Sequence, residues 1–237
     1  MLCIDPSSKL SGGSILGDKT RMTELSRNDR AFVRPSPTSG ALGGLTCTTS
    51  ESILACQTSG LGDITFVESV GVGQNEVDID MACDMVILLL SPGGGDSLQG
   101  VKKGIVEVAD FFVVNKADGD LKASARHTAG DYGSALCYVR RKSRDWTPPV
   151  LLASSTTGEG IAEVWRAIQL FCENMSTNGE MERKRIKQRQ FWVEKHVEDL
   201  VKQHMRSNNF RRSLSSSKVS SRAVARQLFN SIVNRQC

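Results

Sequence analysis

Features that would indicate a metal centre, a disulfide scaffold or a membrane protein are scarce in this sequence. The seven cysteines occur singly, with no Cys-x-x-Cys pair, which disfavours both structural zinc and a disulfide framework. The longest apolar run, Met85–Leu90, is far shorter than the roughly 18 residues that a membrane-spanning helix needs. We therefore expect a soluble protein with reduced thiols, as found in a cytosol or an organelle matrix.

The N-terminus also lacks a targeting pattern. Met1–Asp5 has no basic stretch followed by a long apolar segment and no Arg-rich amphipathic character, so we expect no import signal in the chain as it stands. What is present is an ordinary globular balance, with 39% hydrophobic and 24% charged residues in a chain of 237. This length and composition suffice for one domain with its own core and an appendage.

The charge is unevenly distributed along the chain. Residues 176–237 carry 14 Lys plus Arg against 5 Asp plus Glu, a net charge of +9, whereas residues 1–175 carry 16 against 21, a net charge of −5. This asymmetry predicts an α/β domain over residues 1–175 and a separate basic part over residues 176–237.

The basic part has the pattern of a helical arm. Helices are predicted over Glu180–Met205 and Ser221–Asn234, and each carries an apolar stripe that needs a partner surface, so we expect a dimerisation arm. A solvated helix face explains the positive charge. RNA or membrane binding would also explain it, but the arm has no interleaved aromatic residues and no basic cluster at a binding edge. We therefore expect neither nucleic acid nor a membrane as a partner.

Over residues 1–175, short β-branched runs alternate with amphipathic helical segments, which predicts a doubly wound, mostly parallel sheet with helices on both faces. The predicted strands are Leu2–Asp5, Asp63–Glu68, Met85–Leu90, Phe111–Asn115 and Val150–Ala153, with a weaker one at Ala31–Arg34. The predicted helices are Thr48–Ser59, Ser97–Ala109, Leu121–Arg140 and Ile161–Asn174. In such folds, ligands bind beyond the carboxyl ends of the strands.

The motif Asn115-Lys116-Ala117-Asp118 directly follows one of these apolar runs. In the NKxD arrangement, the Asp carboxylate accepts hydrogen bonds from the N1 and N2 donors of guanine, which adenine lacks, and the Lys stem covers the base plane. An unpaired buried acceptor costs on the order of 1–3 kcal/mol, so Asp118 can set base selectivity. The alternative is a chance polar turn after a strand.

Two acidic residues near the N-terminus are candidates for magnesium binding. Asp5 ends the first strand, where a buried carboxylate is costly unless it holds a hydrogen-bond network or a cation. Asp18 follows a glycine-rich turn. The alternative for Asp18 is the N-cap of a helix over Asp18–Leu25.

A third acidic residue, Glu68, closes an apolar strand ahead of the glycine-rich segment Ser69–Glu76. This layout is typical of the second magnesium motif and γ-phosphate switch of a nucleotide hydrolase, and Gln74 lies within the switch segment as a candidate catalytic residue. The alternative is a glycine-rich turn behind an ordinary strand-end glutamate.

Two further loops follow predicted strands. The glycines of Ser91–Asp96 suit a hinge or second switch, with Asp96 as a helix cap. Ser154, Ser155 and Thr156 follow the last predicted strand, where guanine-nucleotide proteins place a backbone amide near the base oxygen.

Taken in order, these segments resemble the MeaB/ArgK-type P-loop GTPases of the SIMIBI class. The matching blocks are Ile4–Ser8 (IDPSS), Gly12–Met22 (GGSILGDKTRM), Ala31–Gly44 (AFVRPSPTSGALGG), Val67–Glu76 (VESVGVGQNE), Gly95–Ile105 (GDSLQGVKKGI) and Asn115–Asp118 (NKAD). Together they cover most of residues 1–175. Such long, ordered strings are more specific than any single GTPase motif.

The resemblance implies a homodimeric, GTP-hydrolysing chaperone of the adenosylcobalamin-dependent methylmalonyl-CoA mutase, which assists cofactor loading and protection. It implies GTP/GDP and Mg²⁺ as cofactors and a mitochondrial matrix location. The site residues that it implies are Asp5, Asp18 and Glu68 for the metal, Asp18, Glu68 and Gln74 for catalysis, and Asn115, Lys116, Asp118, Ser154, Ser155 and Thr156 for GTP.

The sequence departs from this family at one motif, because it contains no GxxxxGK[ST] loop. That loop normally supplies the amides that cradle the phosphates, the phosphate-binding Lys and a magnesium ligand, so this sequence lacks all three. We therefore expect an N-terminally truncated chain whose neighbouring strands lack a partner and expose apolar surface. A non-catalytic guanine-binding or mutase-binding module stays open beside the GTPase, whereas a metabolite kinase has no supporting residues.

Overall fold

The strands form two three-stranded parallel sheets in a computed structural model of the protein. The structure describes residues 1–5, 22–37, 47–60, 63–69, 76–93 and 103–206, with residues 220, 222, 225, 226, 229 and 230. One compact unit, Met1–Trp192, holds both sheets, and a second unit comprises Val193–Cys237. The mixed α/β fold with parallel strands confirms the predicted class.

The elements of the described residues follow in chain order. The strands are β1 (Leu2–Asp5), β2 (Arg34–Pro37), β3 (Val67–Ser69), β4 (Ile87–Leu90), β5 (Phe111–Val114) and β6 (Val150–Leu152). The α-helices are α1 (Thr23–Ser26), α2 (Cys47–Thr58), α3 (Glu76–Ala82), α4 (Lys103–Val108), α5 (Lys122–Leu136), α6 (Ile161–Thr177) and α7 (Glu180–Arg206), and a 3-10 turn spans Gly119–Leu121. The sheet orders are β2-β1-β3 and β4-β5-β6.

The core is organised around β5, whose four residues are all buried. Successive side chains of a strand point to opposite faces, so Phe111 and Phe112 pack into different layers. Phe112 packs with Tyr132 of α5, and Phe111 packs with Phe171 of α6 and with Trp146. Each buried aromatic contributes about 1.5–3 kcal/mol through loss of exposed apolar surface. Helices therefore cover both faces of this sheet, as the sequence predicts.

Several predicted boundaries are wrong. The weak strand predicted at Ala31–Arg34 lies instead at Arg34–Pro37. Its two prolines are tolerated because β2 is an edge strand of its sheet. The strand predicted from Asp63 begins at Val67, and α5 ends at Leu136 rather than Arg140. Of the helix predicted over Ser97–Ala109, the structure describes Lys103–Val108, and residues 97–102 lie outside the described residues.

The helix predicted over Asp18–Leu25 is observed at Thr23–Ser26, and residues 18–21 lie outside the described residues. Most of the helix predicted over Ser221–Asn234 is outside them too. So are residues 94–96, which complete the predicted Ser91–Asp96 hinge.

In each sheet, one edge strand near the middle of the sequence has a single partner among the described residues. In the described part of the chain, β3 pairs only with β1 and β4 pairs only with β5. Leu89 is 66% exposed although it lies in a uniformly apolar strand, and Phe66, just before β3, is 53% exposed. Exposed apolar side chains therefore accompany both of these strands in the described residues, and the expectation that a missing neighbouring strand causes this exposure stays a prediction.

Helix α3 was not predicted, and its C-terminal end is held by side chains of α7. Trp192 Nε1 donates to the Met81 carbonyl at 2.7 Å, and Gln188 Nε2 donates to the Cys83 carbonyl at 2.8 Å. Arg185 adds a two-bond ion pair with Asp84 at 2.8 and 2.9 Å. The last carbonyls of a helix lack intrahelical partners, so α7 supplies the donors that α3 needs.

A buried charge cluster lies beside this junction. Lys142 Nζ contacts both carboxylate oxygens of Asp110 at 2.9 Å and Asp80 Oδ1 at 2.6 Å. Lys184 Nζ reaches the same Asp80 oxygen at 2.8 Å, so two ammonium groups balance two carboxylates. Asp110 also accepts from the Val86 amide at 2.9 Å. The cluster therefore ties the starts of β4 and β5 to α3 and α7.

Burial alone lowers the pKa of Lys142, but the carboxylates of Asp110 and Asp80 outweigh it and raise the pKa above 10.5. Burial raises the pKa of Asp110, and the nearby ammonium groups of Lys142 and Lys184 offset this only in part. The charged pair is the favoured state, because three carboxylate oxygens lie within 2.9 Å of the Lys142 ammonium group.

Helices long and apolar enough to cross a membrane are absent from the residues that the structure describes.

Candidate guanine-nucleotide site

The loops after β5 and β6 meet at the carboxyl edge of the second sheet. The Ala117 amide donates to the Ala153 carbonyl at 3.0 Å, and the Ala153 amide donates to the Val114 carbonyl at 2.9 Å. Because the two strands are parallel and paired, polar residues that follow each of them are brought side by side. This is the edge at which the sequence predicts base recognition.

Asn115 joins the two loops through its side-chain oxygen. Asn115 Oδ1 accepts from the Lys116 amide at 2.8 Å, from the Ser155 amide at 3.1 Å and from Ser155 Oγ at 3.0 Å. The first bond fixes the turn of the Asn115–Asp118 motif, and the other two fasten the loop after β6 to it. Asn115 therefore acts within this structure as a positioning residue.

Lys116 and Asp118 are the residues of the motif that remain available. Lys116 has φ 57° in the left-handed region and is exposed. A non-glycine residue in that region is uncommon and marks either strain or function, and here the turn is held by the bond to Asn115. Asp118 is half-buried, and no described residue forms a hydrogen bond or ion pair with its carboxylate. Its acceptor capacity is thus unused within the described chain.

Ser154 is fully buried and shapes the loop after β6. Its hydroxyl accepts from the Thr157 amide at 3.1 Å, its amide donates to the Glu159 carbonyl at 2.9 Å, and its carbonyl accepts from the Gly158 amide at 2.9 Å. Ser155 contacts Asn115, whereas Thr156 is exposed. Of the three residues predicted beside a base, one builds the turn and two lie at its surface.

Two features of this loop were missed by the sequence reasoning. Gly160 has φ 82°, and a Cβ added there would lie 2.1 Å from the Leu152 carbonyl oxygen, so only glycine fits. Lys122 Nζ contacts Glu159 at 2.8 and 3.1 Å and joins α5 to the loop. The pair of glycines at 158 and 160 was the available signal for the turn. The ion pair has no local sequence signal.

The predicted magnesium residues are only partly within the described structure. Asp5 ends β1 and Glu68 lies on the neighbouring strand β3, opposite Cys3, which places their Cα atoms about 8 Å apart by strand geometry. Asp18 and Gln74 lie outside the described residues. No group of three or more His, Cys, Asp or Glu side chains suited to a metal occurs in the described ranges. Paired carboxylates nevertheless have the oxygen donors that Mg²⁺ prefers.

A family model described as "Methylmalonyl Co-A mutase-associated GTPase MeaB" matches residues 1–210. The chain belongs to the MeaB family. The family resemblance in the sequence is thereby confirmed. Among curated relatives, the mouse "Methylmalonic aciduria type A homolog, mitochondrial" is 48% identical over 208 residues, covering 88% of this chain and 50% of the relative. The Escherichia coli "GTPase ArgK" is 44% identical over 208 residues, covering 88% of this chain and 62% of the relative.

This MeaB-family chain thus spans between about half and three fifths of the length of these two relatives. A solved structure described as an LAO/AO transport system kinase matches with a TM-score of 0.68 and 32% identity, covering 98% of this chain and 70% of that one. The shared fold is that of P-loop GTPases. The MeaB-family relatives from Escherichia coli and Mycobacterium tuberculosis are named as GTPases.

Proposed function

We propose that the loops after β5 and β6 bind the base of a guanine nucleotide, and that the chain serves a GTP-hydrolysing chaperone of methylmalonyl-CoA mutase. The observation that carries this proposal is the state of Asp118, whose half-buried carboxylate has no partner among the described residues. The rest of the loop is tied by hydrogen bonds. A rigid frame around an unused acceptor suits recognition of a ligand with paired donors.

In this proposal, Asp118 accepts from N1 and N2 of guanine, and the aliphatic stem of Lys116 covers the base plane. Ser155 and Thr156 border the base from the loop after β6. Asn115 keeps the two loops together and Ser154 shapes the loop after β6, as their hydrogen bonds indicate. Selectivity against adenine arises because adenine would leave the Asp118 carboxylate desolvated and unpaired.

The proposed catalytic half of the site comprises Asp5, Asp18, Glu68 and Gln74. Mg²⁺, when bound, would neutralise phosphate charge. Asp5, Asp18 and Glu68 would hold the ion directly or through water, and their carboxylates suit a hard cation. Asp18 and Glu68 would couple the ion to the switch, and Gln74 would orient the attacking water. These roles come from the family resemblance and the adjacency of β1 and β3.

The wider assignments rest on family membership. The name of the matching family links it to methylmalonyl-CoA mutase, and we propose that mutase as the partner, with adenosylcobalamin loading and protection as the process assisted. The mouse and Caenorhabditis elegans relatives are named as mitochondrial, which supports a matrix location if this chain shares it. A homodimer through the helices of residues 176–237 completes the proposal.

Base selectivity provides the direct test. The substitution Asp118→Asn exchanges an acceptor pair for a mixed amide, so guanine affinity should fall roughly 5- to 150-fold, as expected for a loss of about 1–3 kcal/mol. Xanthine affinity should rise. Competition of GDP, XDP and ADP against a fluorescent GDP analogue, with Mg²⁺ present, measures all three.

The matched control is Asp120→Asn, because Asp120 is an exposed carboxylate two residues away in the 3-10 turn. It should leave the preference for guanine unchanged. An unaltered order of GDP, XDP and ADP in the Asp118 variant would count against the assignment.

A second candidate is a non-catalytic guanine-binding or mutase-binding module. The observation that favours it is the absence of a GxxxxGK[ST] motif from the 237 residues. Phosphate release from GTP separates the two candidates. Guanine-selective binding with no Mg²⁺-dependent phosphate release would support the module, whereas release that Glu68→Gln abolishes would support the GTPase.

A further inference from the structure

A cleft of about 410 Å³ lies at the end of the second sheet opposite the candidate guanine site. Its apolar wall is formed by Ala109, Ala129, Leu136 and Val150. Ala109 lies just before β5 and Val150 begins β6, so the cleft adjoins the amino ends of these strands. Ligand clefts commonly have volumes of about 300–1,000 Å³ and mostly apolar walls. The cleft is therefore large enough for a side chain and separate from the site described above.

The cleft is bordered by positive charge that forms no ion pair with the described residues. Arg140 and Arg141 line it and are exposed, and neither forms an ion pair with any described residue. The nearby Arg144 is likewise exposed and unpaired in the described ranges. Lys142 differs, because its ammonium group is committed to Asp110 and Asp80.

Glu107 is the one acidic residue among those lining the cleft. Tyr138, which precedes the arginines, is 92% exposed. Arginine and tyrosine are enriched where proteins bind one another, because each combines a large contact area with hydrogen-bonding groups. The surface around the cleft thus has the composition of an interaction site.

We propose that this cleft docks an acidic segment of a partner protein. One apolar side chain of that segment enters the cleft, and carboxylates on either side pair with Arg140 and Arg141. A peptide fits better than a small anion, since the cationic residues and Tyr138 follow an exposed segment of chain, whereas a small anion requires donors that converge on one point. Arginine also pairs with carboxylates through two parallel hydrogen bonds. This inference does not depend on guanine binding.

The binding test uses a fluorescein-labelled hexapeptide of sequence Glu-Asp-Leu-Phe-Asp-Glu and the full chain. Fluorescence anisotropy should show saturable binding that weakens as NaCl rises from about 50 to 300 mM, because exposed charge pairs are screened by salt. A peptide with Ser in place of Leu and Phe should bind at least about tenfold more weakly, since neither position can then supply the apolar side chain that enters the cleft.

Two variants test the cleft, one by reversing the charge at its rim and the other by filling its interior. Arg140→Glu with Arg141→Glu reverses the charge at the rim and should reduce affinity at least about tenfold. Its control, Arg126→Glu with Arg189→Glu, changes the net charge equally at exposed positions outside the cleft and should have little effect.

Gly133→Leu should fill the cleft, because Gly133 lines it and an added Cβ would meet nothing within 4 Å. Gly130→Leu, on the same helix and equally open but outside the lining, is the matched control. If one cleft variant unfolds, the other still decides the question.

Cys137 gives an independent readout, because it is exposed and lines the cleft. Bound hexapeptide should slow its alkylation by iodoacetamide, measured by peptide mass spectrometry, while alkylation of the exposed Cys172 continues unchanged. Absence of saturable binding up to about 1 mM peptide, equal losses in the cleft and control variants, or unprotected Cys137 would overturn the proposal. Equal protection by N-acetylphenylalanine would identify a small-anion site and overturn it as well.

Discussion

The buried charge cluster provides a quantitative test of the packing described above. Replacing Lys142 by Met keeps an unbranched apolar stem as far as Cε but removes the ammonium group that Asp110 and Asp80 share. Breaking a buried pair in this way costs about 3–5 kcal/mol, because a charge is left uncompensated. We expect the lower end, about 3 kcal/mol, since the Lys142 side chain is 24% exposed and Lys184 still contacts Asp80.

The matched control is Lys122→Met. Lys122 and Glu159 are also 2.8 Å apart, but their side chains are 42% and 61% exposed. Exposed ion pairs contribute at most about 1 kcal/mol, because water screens the charges and two flexible side chains must be ordered. The same bond length should therefore produce a several-fold smaller loss of stability.

The destabilisation by Lys142→Met should shrink as the pH falls. Burial raises the pKa of Asp110 and the ammonium groups of Lys142 and Lys184 lower it, so removing one of these ammonium groups raises the pKa of that carboxyl. Asp110 of the folded variant then binds a proton at a higher pH than Asp110 of the unfolded chain does. Protonation therefore favours the folded state, and the free energy of unfolding of the variant rises as the pH falls through the folded-state pKa of Asp110. In the parent chain, the raised pKa of Lys142 keeps its contribution intact below about 10.5.

Urea unfolding followed by circular dichroism, at pH 7 and at lower pH towards 3.8, measures both effects. A change in the midpoint at constant slope reports stability. A loss below about 1 kcal/mol at pH 7, equal to that of the Lys122 variant, would refute the buried-cluster reasoning. A loss that stays constant over the whole range would refute the role given to Asp110.

Two further predictions concern positions where local geometry is restrictive. Gly160→Ala should destabilise the chain by about 1–3 kcal/mol and weaken any guanine binding, because φ is 82° and the new Cβ would lie 2.1 Å from a carbonyl oxygen. Gly158→Ala is the control, because φ is 80° there but the space around the glycine is open. Thermal unfolding should show a smaller loss of stability for the control. Burial raises the pKa of Cys83 to about 11, so its reaction with a disulfide reagent at pH 8 should be much slower than that of the exposed Cys137, and equal rates would contradict this packing.

The second sheet and the loops of the candidate guanine site could be predicted because their signals are local. Phe111–Val114 and Val150–Leu152 are short apolar runs followed by polar loops, and parallel pairing brings those loops to one edge. The predicted strand ends differ from the observed ends by one residue. A continuous apolar run makes sense only if both faces are covered, which already implies the helices on either side.

Helix α3 could not be predicted in this way. Its sequence alternates apolar and acidic residues from Val77 to Met81, which is the period of a strand. The helical state leaves carbonyls that Gln188 and Trp192 of α7 satisfy. The determinant therefore lies in another part of the chain. The Lys122–Glu159 pair escaped prediction for the same reason, since 37 residues separate its partners.

The order in which the charge cluster is completed has a consequence for how the chain is made. Asp80 and Asp110 leave the ribosome before Lys142, and Lys184, which bonds the Asp84 carbonyl 100 residues back in sequence, emerges later still. At roughly 5–20 residues per second, that interval lasts on the order of 5–20 seconds. During it, the carbonyls at the end of α3 lack the donors that α7 supplies. A fragment intended to fold independently should therefore extend through Trp192, because one that stops at residue 175 would never acquire them.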